Sequence, residues 1–222
     1  MSNEEILLNI FNRMLEAYGP RGWWPAQTRF EVIVGTILTQ NVSWKNVEIA
    51  VRRLKASGLL NPKAIIASDA DELAKIIKSS RYYNQKAECL KGFCRHLDKK
   101  YGGSLDRLFQ KDTELLRKEL IGLKGIGEET ADCILLYAGN KPSFVSDAYT
   151  SRFLRRFGLL DGNRSYRQIR SFFMANLPKD VYLYNEYHAL IDHHCNRICK
   201  AEPLCEKCSI KKIDEICCLY KS

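Results

Sequence analysis

Apolar residues recur at spacings of three and four along almost the whole chain, and the strict alternation of a half-buried strand is scarce. A chain patterned this way buries its apolar side chains only by packing helix on helix, so an all-α fold is expected. Ile6, Ile10, Met14 and Ala17 mark one face of a first helix, ended by Gly19, Pro20 and Gly22. Residues 30–38 read as a strongly apolar helix buried on most sides, and 43–55 as a third that stops at Ser57-Gly58. Further helices are expected over 69–77, with Asp69 or Asp71 near its cap, and over 85–101, closed by Gly102-Gly103. The remainder fall at 113–121, 128–137, 146–157, 166–175 and 182–198. Pro62, Pro142 and Pro178 lie between helices, so the loops are short, and 222 residues suit one or two domains.

The charge narrows the function classes. Lys and Arg number 35 against 26 Asp and Glu, a formal charge of +9, which points to a polyanionic partner. A 45% hydrophobic content argues against disorder. No apolar run approaches the ~18 residues of a membrane span. The start, MSNEEILLNI, is acidic and lacks the apolar core of a signal peptide, so a cytoplasmic protein is expected. Disulfides are then disfavoured, although there are nine cysteines. Cys89, Cys94 and Cys133 are scattered through helical patterns, whereas six crowd between Cys195 and Cys218. Such crowding reads as a metal or cluster site. His193 and His194, beside Cys195, read as helix-surface or packing residues.

Between the helices expected at 113–121 and 128–137 lies Leu123-Lys124-Gly125-Ile126-Gly127. Gly125 and Gly127 can take positive φ at little cost and remove side chains that would block close approach. Main-chain N–H groups of such a turn can hold a phosphate oxygen, with Leu123 and Ile126 locking the hairpin from inside. A plain glycine-rich turn is the simpler reading of the same residues.

The segments LKGIGEETAD and FVSDAYTSRFLRRFG together resemble the helix-hairpin-helix DNA glycosylases of the endonuclease III superfamily. ILTQNVSWKNVEIAV is similar to the family helix that reaches DNA near an extruded base. RYYNQKA resembles its G-x-Y-x-x-K-A segment, with Arg81 in place of the glycine. The resemblance covers nearly the whole chain. It implies an all-α, two-lobed fold: a six-helix barrel lobe over 22–130, including the hairpin, and a second lobe of 1–21 with 131–222. It implies double-stranded DNA with a damaged base as partner, bound in the cleft between the lobes by a monomer, and no membrane.

The implied chemistry is hydrolysis of the bond between a base and deoxyribose. The base leaves the stack and enters a pocket. Asp147 matches the family aspartate, which stabilises the cation developing on the sugar and orients the attacking water. Asp147 also suits a plain helix cap, and both roles can coexist. Bifunctional members place a lysine 18 positions before that aspartate, where this chain has Glu129. A carboxylate forms no Schiff base, so a monofunctional enzyme without lyase activity is implied. Glu129 either orients substrate or water or is a solvated helix-start residue.

Trp23-Trp24-Pro25 and Trp44 contain every tryptophan of the chain. WWP, TQN-x-SW and GEETAD are similar to the 3-methyladenine DNA glycosylases of this superfamily. That similarity implies a stacking pocket of Trp23, Trp24, Pro25 and Trp44 for an alkylated purine, against the alternative that these rings fill the core. Gln40 and Asn41, more so Asn41, are candidates to fill the hole left by the flipped base, or else they cap a helix end. Lys86, Lys124 and Arg152 are phosphate contacts or solvated charges.

Cys199-x5-Cys205-x2-Cys208-x8-Cys217 is similar to the family's four-cysteine loop, usually C-x6-C-x2-C-x5-C. Cys218 can replace Cys217, and Cys195 is an outside candidate. The implied cofactor is a 4Fe–4S cluster of structural role, with zinc as the alternative. Rival readings are a glycosylase for mismatched or deaminated bases (uracil, thymine opposite guanine, hypoxanthine), a bifunctional glycosylase/lyase, a DNA-binding module without chemistry, and a cluster-based electron carrier.

Overall fold

A computed structural model describes residues 1–160 and 162–210. The described residues form twelve α-helices and no strand. The chain divides into two compact units, one of residues 1–23 with 142–222 and one of 24–141. The helical run begun at Glu128 is therefore carried to its end within one unit, rather than being cut at 130.

The first unit is built from α1 (Asn3–Tyr18), α10 (Ala148–Arg156), α11 (Tyr166–Asn176) and α12 (Val181–Arg197). Ser2 and Glu5 close a capping box at the start of α1. Leu7, Ile10 and Met14 are fully buried, and the Tyr187 hydroxyl donates to the Leu7 carbonyl at 2.9 Å. Phe144 stacks on Phe173 with centroids 3.9 Å apart, while Phe153 packs against Phe157. Aromatic rings supply much of this small core because each buries a large area.

The second unit runs from α2 to α9: α2 (Arg29–Thr39), α3 (Trp44–Ala56), α4 (Pro62–Ala67), α5 (Ala70–Ile76), α6 (Tyr83–Tyr101), α7 (Leu105–Gln110), α8 (Thr113–Ile121) and α9 (Glu128–Cys133). Phe30 to Leu38 is buried throughout, as its strongly apolar composition implies, with Glu31 and Thr36 buried among the apolar residues. Asp69 caps α5 by accepting from the Asp71 and Glu72 amides. The helix expected over 128–137 is α-helical only to Cys133 and then passes into a π turn, Ile134–Ala138. Gly139 ends it, and a Cβ there would sit 2.7 Å from both the Leu135 carbonyl and the Phe109 ring.

Two buried lysines of α6 fix neighbouring helix ends. Lys91 donates to the carbonyls of Ile65, Ile66 and Ser68 at the end of α4. Lys86 donates to those of Leu38 and Gln40, both at 2.8 Å, at the end of α2, and to Ser80 at 2.5 Å. Each places an ammonium where the last carbonyls of a helix lack partners. A third node is Glu119 on α8, which takes His96, Lys100, Tyr101 and Lys111. Burial alone would raise its pKa, but those four donors hold it well below the ordinary value.

Candidate active site

The hairpin between α8 and α9 is a tight turn in which the Ile126 amide donates to the Leu123 carbonyl at 3.0 Å. Gly125 takes φ +87°, the conformation a turn of this kind asks of its third residue. A side chain there would also strike Cys89 of α6, 3.0 Å away. Gly127 behaves differently from the expectation of positive φ. It is extended at φ −85° and precedes α9, with open space where a Cβ would point. Ile126 is buried and Leu123 half-buried, so Ile126 is the stronger internal lock. Lys124 is exposed and pairs with Glu88 at 3.0 Å.

Arg117 of α8 holds the far side of the hairpin. Its guanidinium meets Asp132 through two hydrogen bonds of 2.8 and 2.9 Å, with Asp132 fully buried. From α2, the Gln40 amide nitrogen reaches the Gly125 carbonyl at 3.0 Å and the Thr130 hydroxyl at 2.9 Å. Gln40 thus spends its donors on bracing the hairpin. Asn41 stands exposed at φ +54°, beside Tyr82, Gln85, Cys89 and Gly125 around a cleft of about 290 Å³. Tyr82, which sequence reasoning passed over, is 59% exposed and left-handed. Arg81 before it takes φ +53° and ψ 162°, a region glycine alone enters cheaply.

Lys86 is the clearest correction. It is 3% exposed, and its ammonium is committed to three main-chain carbonyls, so it is no phosphate contact. Burial pulls its pKa down to about 8. Arg152 is corrected likewise: it donates to the carbonyls of Cys195 and Cys199 and lies over the Tyr149 ring.

A second cleft of about 290 Å³ brings together Trp24, Pro25 and Trp44 with Gly35, Glu31 and Glu48. Trp23 does not line it and is counted with the other unit. The Trp24 indole is seated over Gly35, where a Cβ would approach to 3.2 Å. It meets Trp44 edge to face at 5.1 Å and Tyr137 of the π turn at 5.4 Å. Trp44 Nε1 donates to Glu48 Oε1, one turn along α3. Glu31 is neutralised by Lys55 at 2.8 Å.

Asp147 immediately precedes α10. Its Oδ1 accepts from the Thr150 amide at 2.8 Å and the Thr150 hydroxyl at 2.9 Å, so the capping role is realised. The approach to it is rigid. Phe144 is buried in the core, the Ser143 hydroxyl accepts from Arg170, and the Ser146 hydroxyl donates to the Tyr166 carbonyl. Oδ2 is turned towards His188 of α12, 3.9 Å away. Sequence reasoning overlooked His188, although its spacing of four from Asp192 puts both on one helix face. Glu129 is exposed in the first turn of α9.

Of the expected cluster ligands, Cys199, Cys205 and Cys208 lie within the described residues, and Cys217 and Cys218 lie outside them. Arg156 clamps the start of the loop, donating to the carbonyls of Cys199, Lys200 and Ala201 and to Cys199 Sγ at 3.2 Å. His194 Nε2 stands 4.0 Å from Cys208 Sγ. The Cys199 thiol is held below its ordinary pKa by its hydrogen bond with Cys195, helped by His194 and Arg156. Such donors suit thiolate ligands. Among the described residues, no three metal-binding side chains surround a common point.

A family profile described as HhH-GPD superfamily base excision DNA repair protein matches residues 34–179. A Methanocaldococcus jannaschii protein named as a DNA repair glycosylase is 45% identical over 98% of this chain and 97% of its own length. An endonuclease III of Sulfolobus acidocaldarius is 30% identical over 82% of this chain and 79% of its own. Among solved structures, the 3-methyladenine DNA glycosylase of H. pylori bound to 1,N6-ethenoadenine superposes with a TM-score of 0.77 at 28% identity. It covers 89% of this chain and 98% of that one. An endonuclease III–DNA covalent intermediate shares the fold, with a TM-score of 0.83 at 22% identity, covering 100% of this chain and 98% of that one.

Proposed function

Because the chain belongs to the HhH-GPD superfamily of base excision DNA repair proteins, and is thus a DNA glycosylase of that pathway, we propose that it is the monofunctional kind, releasing alkylated purines such as 3-methyladenine. The observation that carries this reading is the cleft in which Trp24 and Trp44 stand at right angles beside Pro25 and Glu48. Aromatic faces favour a flat, electron-poor base, and Glu31 and Glu48 offset the charges of Arg52 and Lys55 on the same lining. N3-alkylated adenine carries positive charge while still attached to the sugar, and its glycosidic bond is already weakened. A modest push suffices to break it.

In this reading the Leu123, Lys124, Gly125, Ile126 and Gly127 hairpin, braced by Gln40 and Arg117, meets DNA phosphates through its main chain. Asn41 and the exposed ring of Tyr82 occupy the space the flipped base vacates. Asp147 Oδ2, the oxygen not used in capping, faces the sugar: it offsets the charge growing at C1′ and orients the water that attacks there. Glu129 stands at the lysine position of the bifunctional enzymes, so no amine is offered to the opened sugar. A 4Fe–4S cluster held by Cys199, Cys205, Cys208 and Cys217 or Cys218 is the proposed cofactor, tying the loop that Arg156 and Arg152 already anchor. We assign the working unit as the monomer.

The test is mass spectrometry of bases released from methylated duplex DNA by wild type and Asp147→Asn. Free 3-methyladenine from wild type alone supports the reading. Release of uracil or hypoxanthine from matching duplexes, with no alkylated base, shifts the assignment to deaminated substrates. Covalent trapping of the wild type on damaged DNA by borohydride would overturn the monofunctional assignment.

A further inference from the structure

The candidate nucleophile-activating carboxylate has a neighbour that the chemistry above leaves unused. His188 is 9% exposed, and its Nε2 points at the one Asp147 oxygen that does not cap α10. At 3.9 Å the two atoms stand at ion-pair rather than hydrogen-bond separation, which leaves Oδ2 open to a third partner. A second carboxylate, Asp192, lies one turn beyond His188 on α12. Asn196 donates to Asp192 Oδ2 at 3.1 Å and in turn accepts from the Tyr149 hydroxyl at 2.7 Å. Burial raises the pKa of Asp192, His188 lowers it, and the charge of Asp147 raises it further. The arrangement is therefore an imidazole set beside two mutually repelling carboxylates. The imidazole thus faces the one carboxylate oxygen of Asp147 that Thr150 does not already hold.

We infer that His188 is the positioning residue for Asp147: from α12 it holds Oδ2 aimed, while Thr150 fixes Oδ1. The inference rests on the reading of Asp147 as the catalytic carboxylate. It assigns His188 no contact with DNA, so its loss falls on the chemical step and spares binding.

The experiment measures release of 3-methyladenine from methylated duplex DNA with enzyme in excess, alongside DNA affinity, for wild type, His188→Leu, His188→Gln, His188→Asn and Asp147→Asn. His188→Leu is expected to slow the single-turnover rate roughly tenfold to a hundredfold at unchanged affinity, the scale of a misplaced catalytic group. His188→Gln, whose amide nitrogen reaches the place of Nε2, recovers most of the rate. His188→Asn, polar but too short, does not, and it keeps the comparison available if the leucine variant fails to fold. A leucine or asparagine variant at the wild-type rate overturns the inference, as does a glutamine variant no faster than the asparagine one. An Asp147→Asn enzyme at the wild-type rate is a separate outcome that removes the underlying reading.

Discussion

Trp44 Nε1 and Glu48 Oε1 are 2.9 Å apart, a hydrogen bond between residues one turn apart on the same helix. The carboxylate fixes the rotamer of the ring and enriches its π face, on the wall of the cleft that also holds Trp24. A cation over that face gains about 0.5–2 kcal/mol. Glu48→Gln should therefore lower release of cationic 3-methyladenine severalfold while leaving release of neutral hypoxanthine, where measurable, nearly unchanged. Parallel excision assays on the two substrates decide it, and equal losses on both would show that Glu48 merely supports the ring.

Lys86→Met should reduce stability rather than weaken phosphate binding. The substitution leaves the Leu38, Gln40 and Ser80 carbonyls without their shared donor, at a cost of about 2–3 kcal/mol. Denaturant unfolding should shift, whereas the slope of DNA affinity against salt should stay as in wild type. A phosphate contact would instead reduce that slope by about one.

Glu119→Gln tests the node between α6 and α8. The folded pKa of Glu119 lies below its unfolded value of about 4.3, so its contribution is complete above that pH and is lost as pH falls through the folded value. Near neutrality the variant should lose about 2 kcal/mol. The gap to wild type should narrow as the pH drops below about 4. Unfolding curves across the acid range check both the size and the sign.

Arg81→Gly should stabilise the protein. Strain at φ +53°, ψ 162° costs about 1–3 kcal/mol, and glycine gives back about 0.5–1 kcal/mol in chain entropy, leaving a gain of about 1 kcal/mol. A raised midpoint in denaturant is the expected result. A fall in DNA affinity in the same variant would mean that the strain is maintained for the sake of the exposed Tyr82.

The helices and the hairpin were legible because glycine, proline and capping residues punctuate the pattern: Asp69 and Gly125 stand where local chemistry demands them. Helices α4 and α7 were not foreseen, since six residues are too few to display a period of 3.6. The misreading of Lys86 has a different origin. A lysine in a basic chain looks like a surface charge, and only the fold shows that three carbonyls converge on it. His188 was masked by the pair His193 and His194 next to a cysteine. Its relation to Asp147 links residues 41 positions apart, which no local pattern records.

The π turn at Ile134–Ala138 amounts to one residue more than the helix needs. Each residue of an α-helix turns the chain by about 100°. The surplus therefore turns the face presented within it away from that of the helix before it: before it Asp132 engages Arg117, and within it Tyr137 meets Trp24. An unbroken helix would align one of these and turn the other away. The hairpin and the tryptophan cleft are thus served by a single stretch of chain because that stretch miscounts, and deleting one residue there would uncouple the Arg117 brace from the wall beside Trp24.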